Sequence, residues 1–360
     1  IELQRQQLET QQQQLEAMEQ RLQELEQDAF RDQFMQGIQP PTPPVIAEGA
    51  RVTSGETGLD LAISGQINRM VTLADDGDST KLYNVDNANS SSRIRFVGRA
   101  RSDQGFTIGT LLEAELRSNP STVVDQRNQD TGRATFDDRH IDLFVEHADY
   151  GRLSLGQGDT AANSTAEVDL SGTSVIAYSS VGDTAGGLRF FDDDADELSG
   201  TRVGDVFDNL DGLSRRDRIR YDTPRLAGFT ASADAISSAR YSAALRWSGE
   251  LPDWRMAAAA GYSHPGGDSD YIADGSASVL HQPTGVSLTL SAGTQEFDGR
   301  DDATNIYVKL GWQRDFFSFG RTAMSIDVGR TADRDEEDDE ADTVGAFLVQ
   351  NINDFGIELY

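Results

Sequence analysis

The chain has 360 residues, 31 Lys and Arg against 61 Asp and Glu, a formal charge of −30 and no cysteine. That balance excludes a nucleic-acid partner, which needs a dominant basic surface, and the missing cysteines exclude thiolate metal sites and disulfides. A mean hydropathy of −0.51, with no apolar run near the roughly 18 residues of a spanning helix, excludes a helical membrane protein but not a membrane barrel, whose strands of about 10 residues alternate apolar with polar.

The first 27 residues, IELQRQQLETQQQQLEAMEQRLQELEQ, carry a heptad pattern. Ile1, Leu8, Leu15 and Leu22 recur at one seam position, and Met18 and Leu25 occupy the other, with Gln4 and Gln11 making the seam polar at its start. A helix this rich in Gln and Glu cannot bury so narrow a stripe alone, so residues 1–37 are expected to be a self-associating coiled coil. No basic-then-apolar leader is seen at Ile1, so export rests on inference, any secretion signal having been removed or lying outside the given sequence. Prolines 40, 41, 43 and 44 then mark an extended spacer, and residues 38–57 are read as a linker.

From Gly58 onward the period falls to two, and about fifteen strand-like runs recur between Gly, Asp, Asn or Pro turns. They begin near Leu59, Ser91, Phe106, Ala134, Arg152, Arg215, Phe229, Ala239, Trp254, Tyr271, Val286, Ala303, Arg321, Asp342 and Phe355. Ile306, Val308, Leu310 and Trp312 alternate with Tyr307, Lys309 and Gly311, one face greasy and the other wet. Short turns such as HADYG and LPDW alternate with longer acidic loops. A closed meander of this kind, residues 58–360, is expected to be an all-β transmembrane barrel rather than a soluble sandwich.

In the second run Arg93, Arg95, Arg99 and Arg101 share a face opposite Ile94 and Phe96, and in the sixth Arg216, Arg218 and Arg220 stand opposite Ile219 and Tyr221. An arginine on the lipid face costs roughly 2–4 kcal/mol near the membrane centre, so parity sends these to the lumen. There they either line a basic pore wall or pair with Asp217, Asp222, Glu113 and Glu115. Arg139 has the parity of Ile141, Leu143 and Val145, so it requires a bulge to turn inward or a position beyond the lipid.

About 55 residues separate the fifth run from the sixth, and an insertion of that length is usually functional. Its small and polar residues suit a loop folded into a wet interior, residues 158–213, with Glu167 and Asp169 as its sharpest charges; an external lid is the alternative. The acidic runs 192–197 and 333–342 have oxygen ligands suited to Ca²⁺ or Mg²⁺ but lack binding-loop spacing. His140, His147, His264 and His281 show no metal spacing, and no catalytic constellation stands out, so neither an enzyme nor a cofactor is expected.

The segments ISGQINR, RHIDLFVEHADYGRLSLGQGDTA, AEVDLSGTSV and DGLSRRDRIRYDTPRLAGFTASADA closely resemble the Gram-negative general porins. The resemblance runs from about Leu61 to the C-terminus. It implies a homotrimer of barrels with roughly sixteen strands each, in which a third loop folds inward to face a basic cluster on the wall. It places Glu167 and Asp169 on that loop, with Arg93, Arg95, Arg218 and Arg220 on the wall. Two departures stand out. The coil and spacer resemble instead the periplasmic extension of dicarboxylate-channel-type porins, and one strand is lacking from the count, as from a truncated chain or a miscount.

The function expected is a water-filled outer-membrane channel for passive diffusion of small hydrophilic solutes and ions. The alternatives are a substrate-selective anion or dicarboxylate channel and an envelope tether whose periplasmic coil contacts peptidoglycan, the barrel being its anchor in outer-membrane lipid.

Overall fold

The computed structural model describes residues 52–54 and 59–360, apart from residue 268. The heptad residues Ile1 to Leu25 and the proline spacer lie outside the described residues. The strands in chain order are β1 (Val52–Ser54), β2 (Leu59–Gln66), β3 (Arg69–Asp75), β4 (Thr80–Asp86), β5 (Arg93–Arg101), β6 (Thr107–Arg117), β7 (Thr135–His147), β8 (Gly151–Asp159), β9 (Arg189–Asp192) and β10 (Glu197–Arg202). They continue as β11 (Arg215–Asp222), β12 (Phe229–Ile236), β13 (Arg240–Leu251), β14 (Trp254–His264), β15 (Ile272–His281), β16 (Val286–Gln295), β17 (Ala303–Phe317), β18 (Gly320–Ala332), β19 (Glu340–Ile352) and β20 (Ile357–Leu359).

Sixteen of these strands form one sheet in sequential order, with β3–β4 and β9–β10 set aside as separate hairpins. Every neighbouring pair is antiparallel; β2 pairs with β5 and β8 with β11 across the two hairpin-bearing insertions. The fifteen runs read from sequence correspond to β2, β5 to β8 and β11 to β20. The sixteenth is β1, which pairs Val52 with Leu61 and Ser54 with Leu59. The sheet therefore begins inside the stretch read as linker, before the expected boundary at residue 58. Tyr360, just past β20, donates its hydroxyl to Asn68 Oδ1 at 2.6 Å and accepts from Asn87 Nδ2 at 3.2 Å, bringing the last strand against the chain that leaves β2.

The burial pattern is inside out. On β16 to β18 the apolar residues Leu288, Leu290, Ile306, Leu310, Ile326 and Val328 are exposed, while Ser287, Thr289, Lys309, Ser325 and Asp327 are buried. Water would not select that arrangement; a lipid surround does, because alternate side chains then meet hydrocarbon and lumen. Each of these strands also finds its backbone partners in its neighbours within the sheet, as hydrocarbon requires.

Aromatic residues gather at the short-turn end: Phe106 with His147 and Tyr150, Phe229 with Trp247, Trp254 with His281, Trp312 with Phe316, and Phe317 with Phe319. Tyr241, Tyr262 and Tyr271 stack toward the opposite end. Amphipathic rings at two levels match the two interfaces of a bilayer. Among the described residues no helix is long and apolar enough to cross a membrane.

Candidate functional site

Residues 160–214 leave β8 and return to β11 through α1 (Gly182–Ala185), the β9–β10 hairpin and α2 (Val203–Val206). The outgoing limb lies along the inner wall, fastened strand by strand. Ala161 N donates to Asp234 of β12 and Ala162 N to Ser242 of β13. Val168 N and Leu170 N donate to Ser276 and Ser278 of β15, at 2.8 and 3.0 Å. Asp169 accepts from Thr289 of β16 and from Lys309 of β17, and Thr173 shares a 2.8 Å bond with Ser325 of β18. Beyond the wall the limb reaches the β4–β5 connection, where Asn89 and Asn87 donate to the carbonyls of Ser174 and Val175.

The small and polar sequence of the loop is what permits this course, because every peptide group taken out of water needs a partner. The wall makes room as well. A Cβ on Gly311 would lie 2.7 Å from Ser171 Cβ, and one on Gly261 would lie 2.9 Å from Ala162 Cβ. Two small apolar clusters seal the fit, Val175, Ile176 and Ala177 against Ala323 and Val349, and Leu210 and Leu213 against Ile236, Ile272 and Ala303.

The two acidic residues predicted for this loop part company. Glu167 is half-buried and accepts from Asn209 Nδ2 at 3.3 Å. Asp169 does not face the lumen: its side chain is buried and its Oδ2 lies 2.8 Å from the Lys309 ammonium, which is itself fully buried. A buried ammonium demands a carboxylate, and Asp169 is the one the loop brings to it. Two further acids of the loop, which the sequence did not single out, are Asp183 and Asp211, both half-buried. Asp211 accepts from the backbone of Ser164 and Ala166, and Asp183 accepts from the Tyr178 hydroxyl at 2.7 Å. Burial, with Asp211 and Asp183 nearby, holds the Glu167 carboxyl well above the usual carboxylate range. Burial likewise pushes Asp211 up to about 6 and raises Asp183, the latter against the hydrogen bond it accepts from the Tyr178 hydroxyl.

The predicted arginines are laced by carboxylates. Arg93 and Arg95 both pair with Glu113 of β6. Arg139 joins them because a register shift between Glu113 and Ala114 skips it in the β6–β7 ladder. This bulge turns Arg139 toward Glu113 at 2.6 Å and Glu115 at 2.8 Å. Arg218 grips Asp142 with both terminal nitrogens, at 2.9 and 3.0 Å, and Arg220 pairs with Asp222 at 2.7 Å while donating to the carbonyl of Thr160.

Three of the predicted arginines stand apart. Arg99 and Arg101 lie nearer the short turns, opposite Asp60 and Thr107 in register. Arg216 is exposed and donates to the Arg215 carbonyl, and Arg215, the register partner of Asp159, makes the ion pair at 3.0 Å instead. Arg216 keeps the strand parity of Arg218 and Arg220, without an interruption of the β8–β11 register.

The acidic run 192–197 spans the exposed β9–β10 turn. On the outer loops Asp301, Asp333 and Asp338 bring three carboxylate oxygens within 4.8 Å of one another. Hard cations suit such oxygens, but two of the three residues are exposed.

Residues 45–360, which include the whole sheet and the loop between β8 and β11, match the family model of the Gram-negative porins. The chain belongs to that family. It is an outer-membrane channel for passive diffusion and not an enzyme. Among solved structures the chain is similar to the anion-selective porin from Comamonas acidovorans, with 13% identity over 81% of this chain and 84% of that one and a TM-score of 0.53. In vitro folded OmpT, an outer membrane protein of Vibrio cholerae, gives 10% identity, coverages of 84% and 83% and a TM-score of 0.51. Salmonella typhi OmpF in complex with daunomycin gives 11%, 83%, 88% and 0.50. At these identities the likeness is one of fold. Among curated proteins none matches by sequence.

Proposed function

We propose that residues 160–214 of this porin form the constriction of a water-filled pore, with Glu167, Asp183 and Asp211 on the loop facing Arg93, Arg95, Arg139 and Arg218 across the passage. The observation that carries this reading is the fastening of the loop to six wall strands from Ala161 to Thr173. Opposed charge across a narrow, low-dielectric passage sets a transverse field that orients dipolar solutes and disfavours apolar ones. Single-channel recording in planar bilayers tests it. The native chain gives ohmic conductance, and a variant with the loop shortened gives a larger one; equal conductances contradict a constricting role.

The heptad of Ile1, Leu8, Leu15, Met18, Leu22 and Leu25 supports a homotrimer whose N-terminal helices form a parallel coiled coil. Short turns on the periplasmic side and long loops outside are the usual disposition of such barrels, and the aromatic belts suit contact with outer-membrane lipid. The coil then serves in the periplasm, where contact with peptidoglycan is its natural task. Heat-modifiable gel migration combined with crosslinking, with and without residues 1–46, reads subunit number and the coil's share in it.

A further inference from the structure

Where the infolded loop turns back, side chains of another connection grip two of its consecutive carbonyls. Asn87 caps a 3₁₀ turn over Ala88–Ser90, and Asn89 lies within that turn. Asn87 Nδ2 donates to the carbonyl of Val175 at 3.2 Å and Asn89 Nδ2 to that of Ser174 at 2.7 Å. Both asparagines are buried, Asn87 completely. Val175 also shares an apolar cluster with Val349 of β19, and Met70 of β3 packs against it.

Both polar atoms of the Asn87 amide are engaged. Its Oδ1 accepts from the backbone of Asn89 at 3.1 Å, and its Nδ2 donates to Val175 and to the Tyr360 hydroxyl, each at 3.2 Å. That hydroxyl gives its own proton to Asn68 Oδ1 at 2.6 Å, and Asn68 Nδ2 donates to the carbonyl of Ser90 at 2.9 Å. The two Nδ2 protons lie in one rigid amide plane, so the group that takes one of them fixes the direction of the other. Here Tyr360 fixes the bond to Val175. Tyr360 follows β20 at one end of the sheet, whereas Asn68 follows β2, next to the other end. The same few atoms thus join the two ends of the sheet and hold the tip of the loop.

We propose that Tyr360 is a positioning residue for the constriction: through Asn87 its hydroxyl orients the loop tip at Ser174 and Val175, so that the passage takes its final width only where the two ends of the sheet have met. The proposal rests on the constriction reading above and adds what sets the tip. A buried polar network whose members are all satisfied specifies one arrangement, and removing one member leaves the others short of a partner. Tyr360→Phe keeps the ring but strips a partner from both Asn87 Nδ2 and Asn68 Oδ1, in two residues that water scarcely reaches. The Asn87 amide is then free to turn away from Val175.

The test reads the tip through one introduced thiol, since the chain has no cysteine. Ser174 is 2% exposed, so Ser174→Cys places a buried thiol at the tip. The full chain carrying it is reconstituted in phospholipid vesicles and treated with a water-soluble maleimide. Labelling is slow with Tyr360 and Asn87 in place, and Tyr360→Phe speeds it on the order of fivefold while the folded band on gels is retained. Asn87→Ala speeds it by a similar factor, and the two substitutions together by no more than the larger of them, because both break one linkage. Native-rate labelling in Tyr360→Phe, or factors that multiply in the double variant, overturns the proposal. Asn87→Ala leaves Tyr360 and its strand untouched, and slow labelling there overturns the proposal whatever Tyr360→Phe does. Fast labelling with both residues in place would instead overturn the docked loop beneath the proposal, which slow labelling throughout would leave standing.

Discussion

Lys309 on β17 and Asp169 on the infolded loop form a buried ion pair, Nζ to Oδ2 at 2.8 Å, with the ammonium also donating to the carbonyl of Ala177. One wall residue thus holds two points of the loop, Asp169 before its turn at Gly172 and Ala177 beyond it. Taking two charges out of water is tolerated only when each completes the other's hydrogen bonding, and here Thr289 and Ser171 supply the remaining donors to Asp169.

Removing one partner should therefore be worse than removing both. Lys309→Met leaves Asp169 buried and unpaired, at a cost of about 3–5 kcal/mol, whereas Lys309→Met with Asp169→Leu should recover much of it. Single-channel recordings should show a larger, noisier conductance for the single variant and a quieter one for the double. Equal noise in both would mean that the pair does not hold the loop.

Gly311 tests the same docking by shape alone. Gly311→Val would drive a side chain into Ser171 and Ser287, and overpacking of this kind costs about 1–3 kcal/mol. Protease should then cut within residues 160–180 of the membrane-embedded variant and spare the native chain. Resistance in both would place the loop elsewhere.

Glu113 is the keystone of the arginine wall, fully buried beneath Arg93, Arg95 and Arg139. Glu113→Gln frees three guanidinium groups from their shared counter-charge, with an expected loss of about 3–5 kcal/mol. The temperature of heat modification on gels should fall, and the reversal potential should move toward anions. A shift toward cations would contradict the pairing described.

Asp211 makes loop docking sensitive to pH. A carboxyl held at about 6 against an ordinary 3.8 binds its proton more tightly in the docked loop. Its contribution is fully present below the ordinary value and is lost as pH rises through about 6. Current fluctuations should accordingly increase across that window in the native chain and flatten in Asp211→Asn. Fluctuations that decline with rising pH would reverse the sign of this linkage.

Much of this was legible in the sequence, for a physical reason. Lipid outside and water inside impose strict alternation, which is why fifteen strands could be read, while Val52–Ser54 is too short to show a period and stands among turn residues. The β3–β4 hairpin escaped because it lies in a loop, where no lipid face enforces alternation through a whole strand. Arg139 could be flagged as wrong by parity, but only the ladder shows the bulge that turns it. Lys309 was already on the wet face of a clear strand; what sequence could not supply was the partner 140 residues away. Asp183 and Asp211 carried no local signal, since only the folding of the loop back on itself brings Asp211 to the amides of Ser164 and Ala166 and Asp183 to the Tyr178 hydroxyl.

The most direct test of the account uses the absence of native cysteine. Thr173 and Ser325 share a 2.8 Å hydroxyl contact between the loop tip and the wall. In a Thr173→Cys, Ser325→Cys chain recorded in planar bilayers, the account predicts that mild oxidation joins the two residues and that ohmic conductance is the same before and after. Thiols that stay free and react with water-soluble maleimide, or a conductance that appears only after reduction, would contradict a loop laid along the wall of an open pore.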